Sequence, residues 1–362
     1  MVLKVLIVGC GKIADGHVEE IAKMPELASV VAVCDREPLM AEQLAWRYGL
    51  PRHYSDFGEA LQRERPDVVH IATPPQSHLP LSMQAMDAGA HVYVEKPLAP
   101  THEHSVALVA HAEHTGRALT VGHSYHFDRP ALELRRLVAD GAIGAPVHVE
   151  SIFGYDLSGA FGKALLSDPG HWVHGLPGGL IHNNVDHVLS KIVPFLDDDR
   201  PAVRVEAWRQ RKERFGDVRD AFHDELRVVV RGRAMSAYGT FSSHARPVMH
   251  AWRVAGTRNT LNLDLTGRTL TIEPRPTLPS ALGRLLPAFS SAQQFAREGF
   301  GNVWRFAKSD FHFFAGLNQQ LRLFYGSIRE GTPPPISHRD MLRVSWLIDE
   351  VVAGMRQCED RS

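Results

Sequence analysis

The fold is decided by Val5-Leu6-Ile7-Val8-Gly9-Cys10-Gly11-Lys12-Ile13-Ala14, a short apolar run that ends in a Gly-x-Gly-x-x-Ala turn and leads into a helix-compatible segment. Gly9 permits a tight turn, Gly11 lets a pyrophosphate approach the backbone, and Ala14 lets the helix pack closely on the strand. A second apolar run ends in Asp35, 21 positions after Ala14, about where an acid that binds a ribose is expected. These features predict a dinucleotide-binding N-terminus.

Length, charge and cysteine usage narrow the class of protein. The 362 residues exceed the roughly 250–300 at which a single core stops growing, so two domains are expected. A net charge of −1 gives no reason to expect a nucleic-acid or membrane partner. The cysteines Cys10, Cys34 and Cys358 are too scattered for a disulfide framework or a zinc site, and they favour a reducing, cytoplasmic location. No apolar run approaches the ~20 residues that a membrane span needs.

The first third of the chain alternates β-type and helical patterns, as a doubly wound α/β sheet requires. The predicted strands are residues 3–8, 30–34, 68–71, 91–94 and 119–122. The predicted helices between them are residues 39–48, 78–88 and 101–115. The carboxyl ends of these strands share one edge of the sheet, where ligands bind.

After residue 124 the pattern changes to strands that helices do not regularly separate, which indicates a mainly antiparallel sheet. The predicted strands are residues 147–153, 202–210, 225–230, 235–241, 250–254, 259–265 and 269–272. The predicted helices are residues 129–140, 317–329 and 339–355. Residues 276–310 show no assignable pattern.

Three further segments place polar residues at strand ends or after a glycine turn. They are Ile71-Ala72-Thr73-Pro74-Pro75-Gln76-Ser77-His78, Val92-Tyr93-Val94-Glu95-Lys96-Pro97, and Leu176-Pro177-Gly178-Gly179-Leu180-Ile181-His182-Asn183-Asn184-Val185-Asp186-His187. Together with the Gly9 turn, they resemble the Gfo/Idh/MocA family, named for glucose–fructose oxidoreductase and inositol dehydrogenase. The resemblance covers nearly the whole chain. It implies a Rossmann NAD(P)-binding domain over residues 1–123 and, over residues 124–362, an α+β domain whose large, mostly antiparallel sheet serves substrate binding and oligomerisation.

The resemblance also implies a role for the charged pair that ends the fourth predicted strand. The lysine of Glu-Lys-Pro in the family contacts substrate and nicotinamide ribose, a role that falls here to Lys96, with Glu95 holding its ammonium in place. An ammonium beside the reacting alcohol would stabilise developing alkoxide charge. The alternative is an exposed ion pair without catalytic meaning.

A histidine on the third segment is the implied general base. The family motif, Gly-Gly-x-Leu-x-Asp-x-Gly-x-His, places His187 at the histidine and Asn183 at the acid. An imidazole suits proton transfer because its pKa lies near working pH, but Asn183 lacks the charge of a carboxylate. Helical spacing leaves a shifted register open, with His182 and Asp186 as an i, i+4 pair, and it also leaves open a purely structural role.

These arguments give a set of candidate site residues. The predicted catalytic residues are Lys96, His187 and Asn183. The predicted cofactor-binding residues are Gly9, Gly11, Lys12, Ile13, Ala14, Asp35, Arg36, Thr73, Pro74, His78, Glu95 and Lys96. The predicted substrate-binding residues are Lys96, His123, Tyr125, His171, Asn183 and His187. Asp35 favours NAD, adjacent Arg36 leaves NADP open, and no metal site is expected.

The leading functional hypothesis is an NAD(P)-dependent oxidoreductase acting on a secondary hydroxyl of a sugar, cyclitol or nucleotide sugar. One alternative is an enzyme that uses NAD transiently, such as a glycosidase or an eliminating or epimerising enzyme. Another is a catalytically reduced nucleotide-binding regulatory or scaffold protein, which Asn183 keeps open. A homo-oligomer formed through the C-terminal sheet is expected, since soluble oligomers are mostly symmetric homomers.

Overall fold

The structure, a computed structural model, describes residues 1–210, 223–275, 280–308, 312 and 314–359. The chain divides into two compact units. The first comprises Met1–Phe127 and Phe314–Ser345, and the second comprises Asp128–Phe313 and Trp346–Ser362. The sequence predicted a single boundary near residue 124 and gave no sign that the chain returns to the first unit.

Thirteen strands are formed by the described residues. They are β1 (Leu3–Val8), β2 (Ala28–Cys34), β3 (His53–Tyr54), β4 (Val68–Ile71), β5 (His91–Val94), β6 (Leu119–Val121), β7 (Pro146–Gly154), β8 (Ala202–Trp208), β9 (Glu225–Arg231), β10 (Ser236–Ser242), β11 (His250–Gly256), β12 (Asn259–Asp264) and β13 (Thr269–Pro274).

Eleven α-helices are formed by the same described ranges. They are α1 (Lys12–Ala22), α2 (Pro38–Tyr48), α3 (Phe57–Glu64), α4 (His78–Asp87), α5 (His102–Thr115), α6 (Arg129–Ala139), α7 (Ala160–Ser167), α8 (Gly179–Ile192), α9 (Ser280–Ala307), α10 (Ala315–Glu330) and α11 (His338–Glu359). None of the helices in the described part of the chain is long and apolar enough to cross a membrane.

The first unit is a six-stranded parallel sheet with the order β3-β2-β1-β4-β5-β6. This is the strand order of a dinucleotide-binding Rossmann fold. Strand β4 is buried along its whole length, as expected where helices cover both faces of a parallel sheet. The predicted doubly wound sheet is confirmed, and the two-residue β3 was too short to give a sequence signal.

The second unit is built on a seven-stranded sheet with the order β13-β12-β11-β7-β10-β9-β8. Only β7 and β10 pair in parallel, and all other neighbours are antiparallel. Helix α8 packs on β7 and β10, and α9 packs on β13. The predicted mostly antiparallel sheet is therefore confirmed, while α7 and α9 lie in segments where no helix was predicted.

Candidate functional site

The glycine turn of the first unit has a conformation that requires glycine. Gly9 has a φ of +92°, and a Cβ there would lie 2.7 Å from the backbone carbon of Ala72. The backbone N–H of Gly9 donates to the carbonyl of Cys34 at 2.8 Å, which joins the ends of β1 and β2. A side chain is thus excluded from the point where the chain turns from β1 into α1.

The N-terminus of α1 is free of side-chain capping. Gly11 occupies the N-cap position without a side-chain hydrogen bond, and a Cβ there would meet nothing within 4 Å. Unpaired N–H groups at a helix start, with open space around the cap, form an anion-binding site. Ala14 is fully buried under this turn. The turn therefore fits the pyrophosphate of a dinucleotide.

Asp35, at the end of β2, is held in a fixed orientation beside this turn. Its Oδ2 accepts from the backbone N–H of Cys10 at 2.7 Å, and its Oδ1 accepts from that of Glu37 at 3.0 Å. Each carboxylate oxygen has a second lone pair, which suits acceptance from ribose hydroxyls. Arg36 and Lys12 are exposed.

The loops after β4 and β5 are joined by His78. This buried ring lies with Nε2 at 2.9 Å from the carbonyl of Thr73 and Nδ1 at 3.0 Å from that of Pro97. The Thr73 hydroxyl accepts from Ser77 at 2.7 Å, and Pro74 remains exposed. His78, which was expected to bind the cofactor, therefore has contacts that fix the two loops to one another.

The Glu-Lys-Pro segment follows β5 at the same sheet edge. Glu95 Oε2 accepts from the backbone N–H of Lys96 at 3.3 Å, and Glu95 Oε1 contacts Nε2 of His17 at 3.0 Å. Glu95 was expected to hold the Lys96 ammonium, and its contact with His17 was not predicted from the sequence. Beyond β6, His123 is buried and Tyr125 is half-buried.

In the second unit, α8 carries the residues of the glycine-pair motif. Gly178 lies against α11, where a Cβ would meet Val352 Cγ2 at 2.8 Å. His187 keeps part of its surface exposed, and its ring lies 4.5 Å from that of Phe153. Asn183, one turn earlier on α8, is 7% exposed.

The shifted register involves residues that are far less accessible. His182 is 0% exposed and Asp186 is 1% exposed. Because a general base has to reach a substrate proton, partly exposed His187 fits that role better than either of them.

His171 belongs to an aromatic cluster in the segment before α8. Its ring stacks on Trp172 with centroids 5.6 Å apart and meets Phe161 edge-on at 5.2 Å. Burial, together with neighbouring His174, lowers the pKa of His171. These half-buried rings pack the segment before α8 against Phe161 of α7.

Two groups of buried polar residues were missed by the sequence analysis. Lys191 on α8 is 1% exposed, and its Nζ has no hydrogen-bond partner among the described residues. Burial lowers the pKa of Lys191 to about 7, against an opposing effect of Asp186. The second group is His17 with His70, both 0% exposed. The available signal for His70 was a polar residue inside the otherwise apolar strand β4.

Comparison with known proteins agrees with this geometry. Residues 3–123 match the Gfo/Idh/MocA family, described as an oxidoreductase family with an NAD-binding Rossmann fold. D-glucoside 3-dehydrogenase of Escherichia coli K12 is 33% identical over 143 residues, which are 39% of this chain and 40% of that protein. A glycosyl hydrolase family 109 protein of Shewanella pealeana is 28% identical over 179 residues, which are 47% of this chain and 39% of that protein.

The fold of the whole chain has solved counterparts. Levoglucosan dehydrogenase, solved with NADH and levoglucosan, superposes with a TM-score of 0.78 at 19% identity and covers 99% of this chain and 98% of its own. By contrast, the chain matches only about two fifths of the length of the curated relatives. The first unit has the Rossmann fold that the description of the matched family names. Residues 3–123 of the chain are therefore similar to the Gfo/Idh/MocA oxidoreductases.

Proposed function

We propose that the protein is an NAD-dependent oxidoreductase acting on a secondary hydroxyl of a small sugar-like molecule, such as a sugar, cyclitol or nucleotide sugar. The observation that carries the proposal is a dinucleotide turn and a Glu95-Lys96 pair on one sheet edge of one unit. Relatives named for D-glucoside and levoglucosan oxidation support the substrate class.

The proposed reaction removes a hydride from the carbinol carbon and a proton from its hydroxyl, which leaves a ketone. NAD⁺, when bound, supplies the hydride acceptor. The ammonium of Lys96 stabilises negative charge on the hydroxyl oxygen as its proton leaves. His187 accepts that proton, and Asn183 orients the His187 ring or the substrate through neutral hydrogen bonds.

NAD is proposed as the preferred cofactor over NADP. The Asp35 carboxylate, held by two backbone N–H groups, would accept from ribose hydroxyls and repel a 2′-phosphate. Exposed Arg36 is the residue that would favour NADP instead. Titration of the purified protein with NADH and with NADPH separates the two outcomes.

The function is tested by incubating the purified protein with NAD⁺ and a panel of sugars and cyclitols while following cofactor absorbance. The proposal expects net reduction of NAD⁺ with at least one of them and formation of the matching ketone. Tight NADH binding without turnover of any compound would support the nucleotide-binding scaffold alternative.

A second candidate is an enzyme that uses NAD transiently, which the glycosyl hydrolase family 109 relative favours. Such an enzyme would cleave a glycoside with no net change in the cofactor. Release of a leaving group from chromogenic glycosides, at constant NADH absorbance, would identify this reaction.

Self-association through the second unit is also proposed. One face of the seven-stranded sheet presents Tyr238, Val229 and Trp208, which are 52%, 40% and 38% exposed. Burying such a face in a symmetric contact would remove apolar surface from water. Light scattering on wild type and Tyr238→Glu tests it, with Trp46→Glu, at an exposed site of the first unit, as control.

Cys10, Cys34 and Cys358 are free thiols, which supports the proposal of a reducing, cytoplasmic location.

A further inference from the structure

A continuous chain of hydrogen bonds runs through the core of the first unit and ends on Glu95. The Tyr325 hydroxyl lies 2.8 Å from His70 Nε2, His70 Nδ1 lies 3.0 Å from His17 Nδ1, and His17 Nε2 lies 3.0 Å from Glu95 Oε1. The two histidines and Tyr325 are 0% exposed, and the Glu95 side chain is 15% exposed. These residues come from α10, β4, α1 and the end of β5.

An ionised Glu95 fixes every proton in this chain. A carboxylate only accepts, so His17 must carry its proton on Nε2 and present Nδ1 as an acceptor. His70 must then donate from Nδ1 and accept at Nε2, which leaves the Tyr325 hydroxyl as donor. With both imidazoles neutral, every donor in the chain has an acceptor. The direction of each hydrogen bond is set by the ionised Glu95 at one end.

One added proton reverses the donor and acceptor roles in the two hydrogen bonds beyond the Glu95–His17 pair. If the Glu95–His17 pair takes up a proton, His17 donates from Nδ1 in place of accepting there. His70 can then only accept at Nδ1, so its own proton moves to Nε2 and the Tyr325 oxygen becomes the acceptor. The tautomer of His70 therefore reports the charge state of a pair that lies one ring away.

Neighbouring groups keep the added proton on that pair. Burial, followed by the effect of His17, holds the pKa of His70 well below its usual range, and burial raises the pKa of Tyr325 well above its usual range. Tyr93 on β5 stacks against His70 at 4.9 Å, and burial likewise raises its pKa, with Glu95 as the next cause. These three groups remain neutral near neutral pH.

Two further ionisable groups near the chain have contacts of their own. His78 on α4 is close enough to Glu95 for the carboxylate to raise the pKa of His78, against the larger lowering effect of burial, and both its ring nitrogens contact carbonyls. Glu20 on α1 pairs with Lys23 at 2.7 Å.

We propose that Tyr325, His70 and His17 form a one-proton relay that ends on Glu95 and positions Lys96. The second Glu95 oxygen accepts from the Lys96 backbone N–H at 3.3 Å, so Glu95 connects the relay directly to the backbone of Lys96. This inference rests on the proposed function only for the role of Lys96. His17 and His70 act as positioning residues.

The relay is tested without substrate by ¹⁵N NMR of the histidine side chains in the cofactor-free full-length protein between pH 5 and 9. The expected result is one shared titration in which His17 gains a proton while His70 changes from the Nδ1–H to the Nε2–H form. The His78 resonances are the internal control and should not follow this step. A His70 tautomer that is the same at both ends of the range overturns the relay.

Variants separate the relay from packing and from the proposed function. His17→Gln keeps an N–H donor for Glu95 but cannot titrate, whereas His17→Leu removes the donor. We expect His17→Leu to lower kcat by about tenfold, with little change in NADH affinity, because a hydrogen bond to a charged group is lost. His17→Gln should retain kcat at high pH, and its pH–rate profile should keep only the acidic fall that protonation of His187 causes.

Two results would contradict the positioning role. One is a His17→Leu enzyme with wild-type kcat and pH profile, and the other is an unchanged acidic limb in His17→Gln. If Lys96→Ala is inactive in the same assay, the proposed function stands and only the relay fails. If wild type turns over no substrate, the NMR titration still decides the relay. His111, a half-buried histidine that contacts Asp87 at 2.8 Å outside the relay, is changed to Gln as the matched control.

Discussion

The Asp35 carboxylate accepts a hydrogen bond from the backbone N–H of Cys10 at 2.7 Å, which ties the end of β2 to the glycine turn after β1. The acid that the sequence assigned to a ribose is therefore also a structural part of the turn that would bind the pyrophosphate. A single side chain thus links two halves of the dinucleotide site.

Asp35→Ala should weaken NADH binding by about ten- to a hundredfold, because the hydrogen bonds that the ribose hydroxyls donate to a charged acceptor are lost. NADPH binding should fall less, since repulsion of its 2′-phosphate is removed as well. Fluorescence titration with both cofactors measures the change, and exposed Glu37→Gln controls for loss of nearby negative charge. Equal NADH affinity in wild type and Asp35→Ala would refute the assignment.

The Gly9 turn offers a matched pair for separating backbone strain from steric clash. Gly9 and Gly89 have φ values of +92° and +91°, but a Cβ would meet Ala72 at 2.7 Å only at Gly9. Gly89→Ala should cost about 1–2 kcal/mol of unfolding free energy from its positive φ. Gly9→Ala should cost at least about 2 kcal/mol more, as measured by urea denaturation. Equal losses would show that the turn can relax.

Lys191 predicts a pH-dependent stability. Its pKa of about 7 in the folded state lies below the 10.5 of an unperturbed lysine, so the unfolded state binds more protons between these values. Unfolding free energy should therefore rise with pH across that window. Below pH 7 the full cost of burying the charge is present.

Replacing this lysine by an apolar side chain should remove that dependence. Lys191→Met should be more stable than wild type by a few kcal/mol at pH 7, with a smaller difference at pH 10. Exposed Lys163→Met is the control and should show no such trend. A stability difference that does not vary with pH would mean that Lys191 has an ordinary pKa.

Substitutions of His187 and Asn183 give the sharpest test of the proposed proton transfer from the substrate. His187→Ala should lower kcat by about 10²–10⁴-fold, the range for loss of a general base. Asn183→Asp should preserve or raise activity, because a carboxylate would stabilise the charged imidazole. Steady-state kinetics of both variants, with His182→Asn for comparison, provide the measurement. An equal loss in His182→Asn and His187→Ala would favour the shifted register.

Local patterns explain what the sequence could predict. The Gly9 turn, the apolar strands and the α8 glycine pair are each set by residues close in the chain, and their type was correctly predicted. Contacts between helices and strands that are far apart in the sequence could not be predicted in this way. His17 on α1 and His70 on β4 lie 53 positions apart in the sequence and meet only in the folded core, so no local pattern indicates that they pair. Helix α9 was missed because large exposed side chains such as Phe300 and Trp304 obscure its periodicity.

The most direct test of the central claim follows hydride itself. Sugars and cyclitols carrying deuterium on the carbinol carbon are incubated with NAD⁺ and enzyme, and deuterium on the nicotinamide ring is measured by NMR. The account predicts transfer by wild type with at least one compound, and a loss of about a thousandfold in Lys96→Ala with little change in NADH affinity. Deuterium transfer at the wild-type rate by Lys96→Ala, or glycoside cleavage without net transfer by wild type, would contradict it.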